Sequence, residues 1–302
     1  MSRIAFIGVG AIGEPMAANL LRKGFAVTTV THRRSEPVER LRQVGAQVAA
    51  TPAEAMRGCE LAFTCLPTGK EVDLVVLGAD GLATTAGAGS VIVDCTTSDP
   101  AITVQIGAAL AARGIGFVDA GLTRSLQGAI EGKLAFFLGG DAEHVGKAMP
   151  ALEAMGDTFF HFGGIGAGHR AKIISNMVAL STIALVNEAL MLGSEHGLDV
   201  DVLFKALMAG NGRSRSLEVY GLPMVRRDYD AKRFSIGHAC HDLWAAQKLA
   251  EECKMPVLVG AAAYEVFRIA AMLGLPEKSV ITLAESWQRR ADERRAASGT
   301  AK

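Results

Sequence analysis

The N-terminal run Arg3-Ile4-Ala5-Phe6-Ile7 has the makeup of an apolar strand. It breaks directly into Gly8-Val9-Gly10-Ala11-Ile12-Gly13 ahead of the helix-prone Met16-Ala17-Ala18-Asn19-Leu20-Leu21. A dinucleotide-binding domain needs strand, glycine turn and helix in this succession. One glycine makes the tight turn, one lets backbone approach a pyrophosphate, and one packs helix on strand. Amides around Ala11 and Ile12, at the start of the helix, would then face the phosphates. Any strand-to-helix connection can collect glycines, so the reading depends on the residues C-terminal to this helix.

The next β-branched run, Ala26-Val27-Thr28-Thr29-Val30, fits a second parallel strand. It ends about 20 residues beyond the last glycine, where such a domain grips the adenosine ribose. The chain supplies Thr31-His32-Arg33-Arg34 there. This tetrapeptide holds no carboxylate to accept from a ribose 2′-hydroxyl, whereas the guanidinium of Arg33 or Arg34 can bind a 2′-phosphate in bidentate fashion. NADP(H) is therefore predicted over NAD(H), which stays admissible, with His32, Arg33 and Arg34 at the cofactor. On the competing reading both arginines are solvated residues opening the next helix.

At 302 residues the chain exceeds the usual single-core size, which predicts two domains. Thirty-one Lys and Arg balance thirty-one Asp and Glu, removing the broad basic field that nucleic acid or an anionic membrane would need. Five cysteines without a C-x-x-C pair fit reduced thiols. The chain opens on a strand with no charged leader, and no apolar run reaches transmembrane length uninterrupted. A soluble cytoplasmic protein is the expectation, with neither nucleic acid nor membrane as partner.

Residues 1–164 alternate short β-branched runs with helix-like stretches, the pattern of an α/β doubly wound parallel sheet of Rossmann type. Leu61-Ala62-Phe63-Thr64-Cys65-Leu66 and Ser90-Val91-Ile92-Val93-Asp94-Cys95 read as further buried strands. Gly116-Phe117-Val118-Asp119 and Leu134-Ala135-Phe136-Phe137-Leu138 extend the sheet. Ligands of open α/β sheets bind at the carboxyl ends of strands, which makes Leu66, Pro67 and Thr97 cofactor candidates. After the glycine-rich residues 163–168, apolar residues at helical spacing run from Lys172 to His196 without proline, a long and largely buried helix. Further helical stretches are expected around residues 200–209, 238–253, 257–273 and 278–292. Residues 165–302 are thus predicted to form an all-α domain opening with an interdomain helix.

Lys172 and Asn176 lie four apart near the start of that helix, so both project from one face at the expected seam between domains. Desolvation among Ala171, Ile173 and Ile174 would lower the lysine pKa toward proton-transfer range. Alternatively, Lys172 snorkels from a helix end and Asn176 bonds to backbone.

Phe6-Ile7-Gly8-Val9-Gly10-Ala11-Ile12-Gly13-Glu14-Pro15-Met16-Ala17-Ala18-Asn19-Leu20 resembles the N-terminal signature of the β-hydroxyacid dehydrogenases, which include 3-hydroxyisobutyrate dehydrogenase and tartronate semialdehyde reductase. The likeness covers nearly the whole chain. It continues through Cys65-Leu66-Pro67, Asp94-Cys95-Thr96-Thr97, Gly128-Ala129, Gly132-x-Leu134 and Gly166-x-Gly168-x-x-x-Lys172-x-x-x-Asn176. By that resemblance Lys172 is the general acid/base, Asn176 orients substrate, and Thr97 lies at nicotinamide and substrate. It also implies hydride transfer on a short anionic aldehyde or 3-oxo acid, and association as a homodimer or homotetramer.

Two departures stand out. Where the family usually has Asp-Ala-Pro-Val-Ser-Gly-Gly, this chain has Asp119-Ala120-Gly121-Leu122-Thr123-Arg124-Ser125. The segment looks more like the sulfolactaldehyde reductase subgroup, which implies a substrate pocket at Thr123, Arg124 and Ser125 with Arg124 facing an anionic group. A salt bridge from Arg124 to Glu131 or another nearby acid is the alternative. The second departure is His241, standing where the family's Lys-Asp-Leu segment has lysine; it is expected at cofactor or substrate. His238, Cys240, His241 and Asp242 also suggest a metal, but helical spacing aims Cys240 away and no fourth ligand is evident, so none is predicted. The rival functions are an imine reductase, against which Lys172 argues, and a catalytically silent interaction module of the same fold.

Overall fold

Strand β1 (Arg3–Ile7) is covered on both faces because its alternating side chains enter two different cores. Ile4 and Phe6 pack with Met16 and Leu20 of α1 (Gly13–Arg22), and Ala5 and Ile7 join the core on the opposite face. The chain continues through β2 (Ala26–Val30), α2 (Glu36–Gln43), β3 (Gln47–Ala49), α3 (Pro52–Met56), β4 (Leu61–Thr64), α4 (Gly69–Leu77), β5 (Val91–Asp94) and α5 (Pro100–Ala111). It then forms β6 (Gly116–Thr123), α6 (Ser125–Glu131), β7 (Leu134–Gly139), α7 (Ala142–Leu152) and β8 (Gly156–His161). This computed structural model describes residues 2–32, 34–229 and 234–284. Arg33, predicted at the cofactor, lies outside the described residues.

The eight strands make one sheet in the order β3-β2-β1-β4-β5-β6-β7-β8. Strand order reverses between β1 and β4, so the carboxyl ends of those two strands form the switch point at which open α/β sheets bind ligands. The sheet departs from the expected all-parallel form at β7, which pairs antiparallel to β6, with β8 parallel to β7. Only residues 124–133 join β6 to β7, fewer than the dozen or so that a parallel crossover takes. The chain therefore turns back on its neighbour.

Helix α8 (Ala167–Glu195) starts five residues before the predicted Lys172. The first compact unit ends at Lys172 and the second begins at Ile173, so residues of this one helix belong to both. By length and mean hydropathy (1.5) α8 could cross a membrane. Its stripe of Leu180, Ile183, Ala184 and Leu190 is buried at the spacing of a core helix, but the helix is not largely buried as the sequence predicts, because Ile174, Val178, Leu185 and Leu192 lie exposed along it.

The second unit continues with α9 (Val200–Ala209), a π-helical turn at Leu217–Gly221, α10 (Leu222–Val225), α11 (Ile236–Glu252) and α12 (Leu258–Met272). Ile236, Leu243 and Phe267 are central to its core, with Leu180 and Ile183 of α8. A 3-10 turn at Val280–Thr282 opens the segment predicted as helix over 278–292, and residues from 285 lie outside the description.

Candidate functional site

The turn after β1 is built as the glycine pattern requires. Gly8 has φ +102°, and a Cβ there would overlap the Cys65 carbonyl at the end of β4, while one on Gly13 would overlap the Gly8 carbonyl. A Cβ on Gly10, by contrast, would meet nothing within 4 Å. Open space beside that backbone is what a pyrophosphate needs. Among the described residues no acceptor meets the amides of Ala11 and Ile12, so both are available to phosphate oxygens. The segment thus fits a dinucleotide. After β2, His32 and Arg34 are exposed, whereas Arg40 of α2 is held by Glu14 at 2.6 and 2.7 Å.

Beyond β4 and β5 a buried carboxylate ties the loops together. Asp94, 1% exposed, accepts from Thr64 Oγ1 at 2.8 Å, Thr96 N at 3.0 Å and Ser98 Oγ at 3.1 Å. Thr96 Oγ1 in turn accepts from Leu66 N at 3.0 Å, so the Leu66-Pro67 loop is hooked to the Thr96–Ser98 loop. Thr97 lies between two buried hydroxyl residues and is itself partly exposed. Burial, with the Asp94 carboxylate adding, pushes the Cys65 thiol up to about 12. Burial raises Cys95 as well, followed by the effects of Cys65 and Asp94.

A second buried carboxylate, Asp119, accepts from Gly166 N at 2.7 Å and His169 N at 2.8 Å, holding the first turn of α8 where a negative charge is favoured. The helix can come this close because a Cβ on Gly168 would lie 2.7 Å from the Asp119 carbonyl, and one on Gly121 2.6 Å from Lys172 Cβ. Asp94 and Asp119 are in register across β5 and β6. Gly121 therefore lies past the carboxyl end of the parallel strands, and the partly buried Lys172 stem lies against it.

Thr123 closes β6, and the two residues after it have left-handed backbone, Arg124 at φ +83° and Ser125 at φ +62°. The Arg124 guanidinium turns toward β8. It donates to Asp157 Oδ1 at 2.5 Å, Thr158 Oγ1 at 2.8 Å and the Lys133 carbonyl at 3.0 Å. The nearby acid that meets it is thus Asp157, while Glu131 pairs with Lys133 at 3.4 Å. Thr158 and then Arg124 hold the Asp157 carboxyl below the usual range.

In the second unit Asn176 Nδ2 donates to Asp242 Oδ2 at 2.6 Å, and His241 Nδ1 lies 3.2 Å from Asp242 Oδ1. Asp242 is buried, so one carboxylate gathers two of the predicted residues. His238 Nδ1 lies 2.7 Å from Ser235 Oγ at the start of α11. Sequence reasoning singled out none of Asp94, Asp119 or His169 as site residues, and weighed Asp242 only as a metal ligand. For the first two a signal was present: an aspartate following an apolar run, at the end of β5 for Asp94 and midway along β6 for Asp119.

Residues 3–164 match the family model for the NAD-binding domain of 6-phosphogluconate dehydrogenase. Residues 166–286 match that described as NAD-binding of NADP-dependent 3-hydroxyisobutyrate dehydrogenase. The chain is 34% identical to an NAD-dependent L-serine dehydrogenase of Pseudomonas aeruginosa, over 92% of this chain and 95% of that protein. It is also 34% identical to 3-sulfolactaldehyde reductase of Escherichia coli, over 91% and 92%. A Mycobacterium tuberculosis 3-hydroxyisobutyrate dehydrogenase structure with L-serine superposes at a TM-score of 0.85 and 25% identity, covering 95% of this chain and 99% of that one. With these matches running through both units, the chain belongs to the β-hydroxyacid dehydrogenase family, as an NAD(P)-dependent 3-hydroxyacid dehydrogenase.

Proposed function

We propose that this protein interconverts a short anionic aldehyde or 3-oxo acid and the corresponding hydroxy acid, with NADP(H) preferred and Lys172 as general acid/base. When bound, the nicotinamide supplies or accepts the hydride. Lys172 gives its proton to the carbonyl oxygen in reduction and removes the hydroxyl proton in oxidation, and its positive charge balances the developing alkoxide. Asn176, one turn further along α8 and steadied by Asp242, orients that oxygen. The observation that carries the reading is the seat of the Lys172 stem against Gly121, on the carboxyl side of the parallel strands.

For the cofactor, support comes from the exposed Arg34 and from the lack of any carboxylate among residues 31–34. For the substrate it comes from two relatives named for L-serine and 3-sulfolactaldehyde, both three-carbon compounds ending in an anionic group. Arg124 would meet such a group by exchanging Asp157 for it. The exposed apolar stripe Ile174, Val178, Leu185 and Leu192 along α8 supports self-association as a homodimer or homotetramer.

Turnover of L-serine, 3-hydroxyisobutyrate, tartronate semialdehyde and 3-sulfolactaldehyde, each with both cofactors, tests the proposal. Lys172→Ala is expected to lose roughly 10²–10⁴-fold in kcat with NADPH binding intact. A wild-type rate in that variant would falsify the lysine mechanism. Arg33→Ala and Arg34→Ala should lower kcat/KM for NADPH and leave NADH unchanged; an undiminished NADPH preference in both rules out the cofactor assignment.

A further inference from the structure

His169 is fully buried one turn before Lys172 and bridges three parts of the first unit. Its Nε2 lies 3.3 Å from the Asp94 carbonyl and 3.9 Å from Asp94 Oδ2, and its Nδ1 lies 2.8 Å from Thr103 Oγ1 of α5. Facing a carbonyl, Nε2 is a donor there, while Nδ1 pairs with the threonine hydroxyl. The backbone amide of the same residue donates to Asp119. The ring thus reaches Asp94 and the backbone amide reaches Asp119, two carboxylates each already ordered by other donors.

One side chain thus fastens the first turn of α8 to the strand end from which the Thr96–Ser98 loop springs, and through Thr96 to Leu66. Lys172 follows His169 by three residues on the same helix, so the ring sets the position of the lysine stem relative to both loops. We propose that His169 is a positioning residue for Lys172, a role that rests on Lys172 being the acid/base. It acts through the helix and touches neither hydride donor nor substrate.

His169→Leu removes both ring hydrogen bonds at similar volume, and His169→Gln keeps a donor where Nε2 reaches the Asp94 carbonyl. In the cofactor-free protein, hydrogen exchange at the Thr96 and Gly166 amides should quicken at least tenfold in His169→Leu and stay near wild type in His169→Gln. With the substrate of highest kcat/KM, His169→Leu should lose at least tenfold in kcat while KM and the NADPH dissociation constant change less than twofold; His169→Gln should recover most of that loss. Unchanged exchange and kcat in His169→Leu, or NADPH binding that weakens in step with kcat, overturns the proposal. Should the leucine variant fail to fold, Thr103→Val removes the partner of Nδ1 and is read in the same way. Lys172→Ala separates the two ideas: a wild-type rate there ends the lysine reading, whereas an inactive Lys172→Ala beside a normal His169→Leu ends only the positioning role.

Discussion

Burial, with Asp94 adding to it, shapes the chemistry of the thiols at the ends of β4 and β5. Cys65 keeps its proton to about 12 in the folded chain, whereas an unfolded cysteine ionises near 9.0. The native state therefore holds a proton that the unfolded state has lost, and the stability present below pH 9.0 declines as pH rises toward 12. The slope approaches about 1.4 kcal/mol per pH unit for one such thiol. Urea unfolding of wild type should lose about 1.4 kcal/mol more between pH 8 and pH 10 than Cys65→Ala; parallel losses in the two proteins would show that the thiol titrates normally. The helix that carries Lys172 and Asn176 four residues apart was legible, because that spacing is local. Their surroundings were not. Asp242 is 66 residues from Asn176, Asp157 is 33 from Arg124, and His169 is 75 from Asp94, so only the fold brings those partners together.

The start of α8 joins strand ends to the proposed acid/base, and Asp119 is what holds it. Asp119→Ala would leave the buried amides of Gly166 and His169 without an acceptor, at about 1–3 kcal/mol each. Chemical denaturation should show a loss of roughly 2–6 kcal/mol, smaller for Asp119→Asn, which keeps one acceptor. A loss below about 0.5 kcal/mol in the alanine variant would mean that water replaces the carboxylate. Element by element, the buried strands β1, β2, β4, β5 and β7 were legible as β-branched or aromatic runs. Strand β3 has three residues, too few for a pattern, and β8 shows a polar start and two exposed residues at its end. The reversal at β7 depends on how few residues join it to β6, a feature that hydrophobic patterning does not register.

Across the whole molecule, sequence patterning separated an α/β half from a helical half, and the compact units divide eight residues later, inside α8, because a continuous helix carries no signal where it passes from one core to another. That arrangement makes cofactor selection measurable without turnover. The glycine turn, the Leu66-Pro67 loop and the Thr96–Ser98 loop all lie in the first unit, so a dinucleotide bound there stabilises that unit against unfolding by mass action. At 100 times the dissociation constant the gain is about 2.7 kcal/mol, which for domains of this size corresponds to roughly 5–10 °C in Tm. Calorimetry with NADPH and NADH at equal concentration should therefore give the larger shift with NADPH. Arg34→Ala should reduce the NADPH shift and leave the NADH shift as it was. A larger NADH shift in wild type would reverse the cofactor assignment while leaving the case for Lys172 intact, since the proposed ribose residues follow β2 whereas the lysine lies on α8 against β6.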